Sequence, residues 1–264
     1  MKKISQKIIS ELIEKADFYN CPDFIKSDPI QIPHSFSKKE DIEISAFLSA
    51  TIAWGNRTSI INNAKRLMLL MDNSPYDFVK NAKGKELLPL TKFVHRTYNG
   101  DDCLGFMYSL QNIYKYHGGL EGVFTKGFKK SYSVESSLLY FHEIFMRYIE
   151  LHRTGKHVSN ISKGSAAKRL NMYLRWLVRS DNKGVDFGLW KEIPASALMI
   201  PLDVHVGNVA REMGLLERKQ NDWKAVVELT EVLKSINSND PIIFDFALFG
   251  TGVNKKNKNL GTLI

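Results

Sequence analysis

The segment Lys163-Gly164-Ser165-Ala166-Ala167-Lys168-Arg169-Leu170 sets small residues ahead of a run with helical spacing, then a cation in its first turn. The first turn of a helix has free N–H groups and a partial positive charge. Glycine and alanine let an anion approach that backbone closely. The chemistry on offer is phosphate binding by Lys163, Gly164, Ser165 and Arg169, with an amine at Lys168 beside it. Lys168, Arg175 and Arg179 recur at i, i+7 and i+11 and predict a basic stripe for DNA. A solvated helix face would give the same pattern. A second segment, Pro201-Leu202-Asp203-Val204-His205-Val206, offers a carboxylate and an imidazole. Each has a plainer role, Asp203 as a helix cap and His205 as a hydrogen-bonded structural histidine. Trp54, Asn56 and Arg57 are a flat ring and polar groups of the kind that line a base pocket. Phe244, Asp245 and Phe249 would form another wall.

Helices must position these groups. Apolar residues recur near every 3.6 positions, and convincing alternating strands are missing. The spacing predicts helices over 41–71 with a break near Gly55-Asn56, and over 104–116, 121–128, 136–151, 165–179, 208–213, 222–236 and 240–249. Ile4, Ile8, Ile9, Leu12 and Ile13 predict one more at the start. Asp240-Pro241 reads as a helix start and Gly250 as a stop, with a loose basic tail over 254–259.

The two segments together resemble the helix-hairpin-helix DNA glycosylases. That superfamily has a glycine-containing hairpin, a lysine early in the second helix, and then Pro-Val-Asp-x-His-Val. Gly164 and Lys168 keep its spacing of four, and Leu202-Asp203-Val204-His205-Val206 follows its aspartate segment. Phe47-Leu48-Ser49-Ala50 is similar to its Leu-Leu-Ser-Ala stretch, which begins a pocket-lining helix. There are departures. Ile161-Ser162-Lys163-Gly164-Ser165 matches the usual hairpin only in part. Lys168 and Asp203 stand 35 positions apart, Thr51 replaces a usual glutamine, and the cluster cysteines of the endonuclease III branch are missing. The nearest characterised relatives so implied are the archaeal 8-oxoguanine DNA glycosylases. A fuller match is to a bacterial glycosylase-like family, through Ala53–Arg57, Lys168–Trp176 and Asp245–Gly250.

The resemblance implies an all-α, helix-hairpin-helix DNA glycosylase-like fold of two helical subdomains with a cleft between them. It divides the chain into a central subdomain at 42–180, carrying the hairpin-like motif, and a second formed by 1–41 and 181–264. It implies that Asp203 stabilises the cationic sugar formed when a base leaves. A neutral lysine amine attacks C1′, so Lys168 is the candidate nucleophile. The expected activity is base-excision repair of damaged duplex DNA, an oxidised purine among the candidate lesions, with lyase competence. The alternatives are a non-catalytic nucleic-acid binder of the same fold and a hydrolase on another nucleic-acid substrate.

Composition fits that partner. The net charge is +9, and 152–191 holds nine Lys or Arg against two Asp, an excess of +7. Such local concentration favours a polyanion over mere solubility. Cys21 and Cys103 have no CxxC neighbour, so neither a metal site nor an iron–sulfur cluster is expected, and no cofactor. No apolar run suits a membrane span or a signal peptide, and a cytoplasmic monomer is expected.

Overall fold

The computed structural model describes residues 4–261, with side chains described for 4–253. It is 66% helix and 2% strand, so the chain is all-α. In chain order the helices are α1 (Gln6–Tyr19), α2 (Pro22–Ser27), α3 (Lys39–Thr51), α4 (Arg57–Leu69), α5 (Pro75–Asn81), α6 (Gly100–Tyr116), α7 (Gly119–Phe128), α8 (Val134–Met146), α9 (Lys168–Val178), α10 (Val204–Glu212), α11 (Trp223–Lys234) and α12 (Phe244–Gly261). Two-residue strands β1 (Val94–His95) and β2 (Tyr98–Asn99) form one antiparallel hairpin between α5 and α6.

The chain divides into two compact units, Ile25–Asn160 and Met1–Phe24 with Ile161–Ile264. These bounds differ from the expected 42–180 and its complement. The hairpin-like segment and α9 fall with the terminal residues, because the α9 arginines find their partners there. Arg175 bonds Asp245 of α12, and Arg179 bonds Asp240 just before it.

In Ile25–Asn160 the core is aromatic. Phe47 of α3 lies 5.4 to 5.9 Å from the rings of Phe106, Phe141 and Phe145. Burying one such side chain stabilises by roughly 1.5–3 kcal/mol. All of Ile42 to Thr51 is buried, so the Leu-Ser-Ala stretch sits inside this core. From Ile42 onward α3 is packed on every side, with the polar Glu43, Ser45, Ser49 and Thr51 buried among its apolar residues.

In the other unit α12 packs on α1 and α10. Gly250 does not stop a helix here; α12 continues through it to Gly261, across the segment expected to be a loose tail. A Cβ on Gly250 would lie 2.5 Å from the Tyr19 ring. The glycine serves close packing of α1 on α12. The Asp240-Pro241 start opens a 3-10 turn, Pro241–Ile243, that leads into α12.

Candidate functional site

The hairpin-like segment begins with a 3-10 turn, Ile161–Lys163. Gly164 follows at φ +82°, a conformation that favours glycine. Helix α9 starts at Lys168, three residues later than the spacing predicts. The intervening residues are held elsewhere. Ser165 pairs with Asp222, Gly164 O accepts from Trp223 N at 3.1 Å, and Ser165 Oγ accepts from Ala167 N at 3.2 Å. Ala167 sits at φ +46°, so the chain turns sharply into the lysine. Lys163 and Gly164 are exposed and Ser165 is half-buried, which leaves this stretch open to a ligand. Lys168 is half-buried, with Nζ 3.4 Å from Met172 Sδ. Burial lowers the Arg169 pKa to about 10.

Asp203 is the N-cap of α10, and its Oδ1 accepts from Val206 N at 2.9 Å. Its backbone oxygen accepts from the Asn221 amide at 3.1 Å. Asn221 immediately precedes Asp222 and Trp223, which hold the hairpin. One short strap therefore ties the Gly164–Ser165 turn to the start of α10. Half-buried His205 faces α12, where a Cβ on Gly252 would lie 2.9 Å from its own Cβ.

Asp245, in the first turn of α12, is buried. Its Oδ2 accepts from Arg175 Nη1, while Oδ1 is buried without a hydrogen-bond partner. Its pKa is raised to about 6, first by burial and then by the Asp203 charge, against the opposing pull of Arg175 and Lys168. The Lys168 amine and the Asp203 carboxylate thus both act on the Asp245 carboxyl. An amine beside two carboxyl groups in unlike surroundings can divide nucleophilic and acid–base work.

The basic stripe is corrected. Arg175 and Arg179 are 3% and 1% exposed and cannot reach a phosphate. Arg175 Nε lies 3.3 Å from Asp186. Arg179 bonds Asp181 at 2.7 Å, Asp186 at 3.0 Å and Asp240 at 2.9 Å. Burial raises the Asp186 and Asp240 pKa values despite these cations. The reason is local: residues 170 to 178 are all buried, so α9 has no solvated face for the arginines to occupy. Unbroken apolar residues around both arginines were the signal in the sequence, and Asp181 and Asp186 just downstream were the hint of compensation.

Trp54, Asn56 and Arg57 belong to Ile25–Asn160. Asn56 caps α4, accepting from Ser59 N at 3.1 Å. Trp54 is half-buried between two histidines, His95 and His157, which no motif in the chain singles out.

Among the described residues, no three or more His, Cys, Asp or Glu are grouped to hold a metal ion. No helix among them is long and apolar enough to cross a membrane. No curated protein and no solved structure matches the chain. A family model described as protein of unknown function (DUF2400) matches residues 28–254, and the chain belongs to that family.

Proposed function

We propose that this chain is a DNA base-excision glycosylase that attacks the sugar through Lys168, on the helix-hairpin-helix scaffold its motifs resemble. The observation that supports it is the shared field at Asp245. That buried carboxyl responds to both the Lys168 amine and the Asp203 carboxylate, although 35 positions separate them in the chain. As the glycosidic bond breaks, positive charge builds on the sugar, and Asp203 stabilises it. The Lys168 amine bonds to C1′ through its lone pair, and the base leaves with the electron pair of the C1′–N bond and takes up the proton the amine sheds. The C1′–O4′ bond of the N-glycosylamine then opens, with a proton to O4′, and the imine so formed permits β-elimination and strand opening. Phosphate contacts fall to Lys163, Gly164 and Ser165. An oxidised purine in duplex DNA is the substrate class the resemblance favours.

Borohydride trapping on a duplex with an abasic site tests the lysine. The wild type should form a covalent adduct, and Lys168→Gln should lose adduct and nicking together while still binding DNA. Adduct formation by Lys168→Gln would assign the chemistry to another amine. One observation favours a second reading, a binder without chemistry: Asp203 already serves as a helix cap. A wild type that traps no abasic site and releases no base from a panel of lesions would support it.

A further inference from the structure

A second set of titratable side chains surrounds Trp54, within Ile25–Asn160. His95 Nε2 lies 3.2 Å from the Trp54 carbonyl oxygen, and the two rings meet edge to face at 5.0 Å. His157 stacks on the indole at 5.8 Å with an interplanar angle of 28°. His157 Nε2 is 3.2 Å from Asp102 Oδ2, and Tyr98 lies edge-on to the His157 ring at 4.9 Å. Asp102 is fully buried and also accepts from Thr154 Oγ1 at 2.8 Å and Asn99 N at 3.0 Å, with Arg153 at 3.4 Å.

The protonation state of His95 follows from its neighbours. The Asn63 amide nitrogen donates to Ser59 O at 2.9 Å and lies 3.2 Å from His95 Nδ1. An amide nitrogen only donates, so Nδ1 must accept. His95 is therefore neutral, with its proton on Nε2, which donates to Trp54 O. Burial, and then the charge of Arg96, hold its pKa below the ordinary 6.5. A second proton would aim one N–H at another.

The loop is fixed from a further side. Gly55 sits at φ +104°, and a Cβ there would be 2.6 Å from Arg96 Nη1. Arg96 itself has φ +56° in the turn between β1 and β2. Backbone strain at a non-glycine residue persists where the surroundings over-determine it, and such places are often functional. Exposed Arg66 and Lys92 lie beside the same hairpin, Arg66 bonding Lys92 O at 3.3 Å. A half-buried tryptophan next to a hairpin that carries Lys92 and Arg96 suits a nucleic-acid strand, whose bases stack while its phosphates meet the charges.

We propose that Asn63 and His95 form a proton-sensitive latch that positions Trp54 as a stacking surface for a nucleobase. This rests on the base-binding role given to Trp54 by the glycosylase reading, and is independent of Lys168 chemistry. As pH falls below 6.5 and through the lower value His95 has here, Nδ1 gains a proton, the Asn63 contact breaks, and a cation appears beside Arg96. Stacking weakens on the acid side. Phosphate attraction alone would change in the opposite direction, so the sign separates the two.

The test uses the full chain and a short single-stranded oligothymidylate. Trp54 emission is isolated by subtracting a Trp54→Phe variant, and binding is followed in parallel by anisotropy from about pH 8 to about pH 5. The wild type should lose roughly tenfold in affinity on the acid side, at the low end of what one stacked base contributes. His95→Gln supplies a donor and an acceptor that do not titrate, and should bind at low pH as the wild type does at high pH. Asn63→Asp favours the protonated ring and should move the midpoint up by about one unit. The far-ultraviolet circular dichroism of each variant reports folding, and Asn63→Asp on α4 carries the test if His95→Gln unfolds. An unchanged midpoint in Asn63→Asp, binding without change in Trp54 emission, or no binding would overturn the latch. If abasic-site trapping succeeds while these readouts stay flat, only the latch fails. If the latch behaves as stated and no adduct forms, only the excision chemistry fails.

Discussion

Asp203 holds two roles that one substitution can separate. Its carboxylate caps α10 and also contributes to the field at Asp245. Asparagine caps a helix nearly as well as aspartate, so Asp203→Asn should change stability little. The same change removes the charge proposed to stabilise the sugar cation. Loss of such a contact costs about 3–4 kcal/mol, a hundred- to a thousandfold in rate. Single-turnover base release, measured beside urea unfolding, should show the first large and the second small. A variant that unfolds without losing its rate would assign Asp203 to capping alone. Asp245 differs in kind. Its folded-state pKa is raised from 3.8 to about 6, so it contributes stability when protonated and loses that contribution as pH rises through about 6. Keeping such a group in a core is costly, which suits a functional carboxyl better than a structural one.

At the scale of the element, α9 carries the largest revision. The sequence puts Lys168, Arg175 and Arg179 in one stripe, yet only Lys168, in the first turn, stays partly open. The two arginines instead join α9 to the segment that starts α12, through Asp240 and Asp245, and share Asp186 of the loop that follows α9. Removing one partner of a buried ion pair leaves an uncompensated charge and costs about 3–5 kcal/mol. Arg175→Met should lower the unfolding free energy by that order in urea titrations at neutral pH. A loss under about 1 kcal/mol would mean that the buried carboxyls take up protons in place of the missing cation. The cap at Asp203 is legible in the sequence, because a cap needs only its own next few residues, although α10 begins at Val204 rather than at 208.

For the whole molecule, the charge of +9 overstates what reaches the surface around the hairpin. Two of the nine cations in 152–191 are buried and neutralised. Lys163 is exposed beside Gly164 and is the residue to change. Lys163→Ala should weaken binding to all DNA sequences alike and reduce the slope of log K against log salt by about one. Fluorescence anisotropy over a salt series reads this directly. An unchanged slope would remove the hairpin from the phosphate contacts.

The sequence by itself determined the all-α class, most helix positions and the cap at Asp203. These depend on apolar periodicity, capping and backbone conformation, which act within a few residues. Tertiary structure decided where charge is compensated and which close approaches a glycine serves. Arg175 and Asp245 are 70 residues apart, and Arg179 and Asp240 are 61. Gly250 looked like a helix stop because its packing partner, Tyr19, lies at the other end of the chain. His95 gained its meaning only when Asn63 fixed its tautomer, by a hydrogen bond that spans 32 residues. A buried charge or a lone ring nitrogen must find a partner, but nothing in its local spacing says which residue that will be.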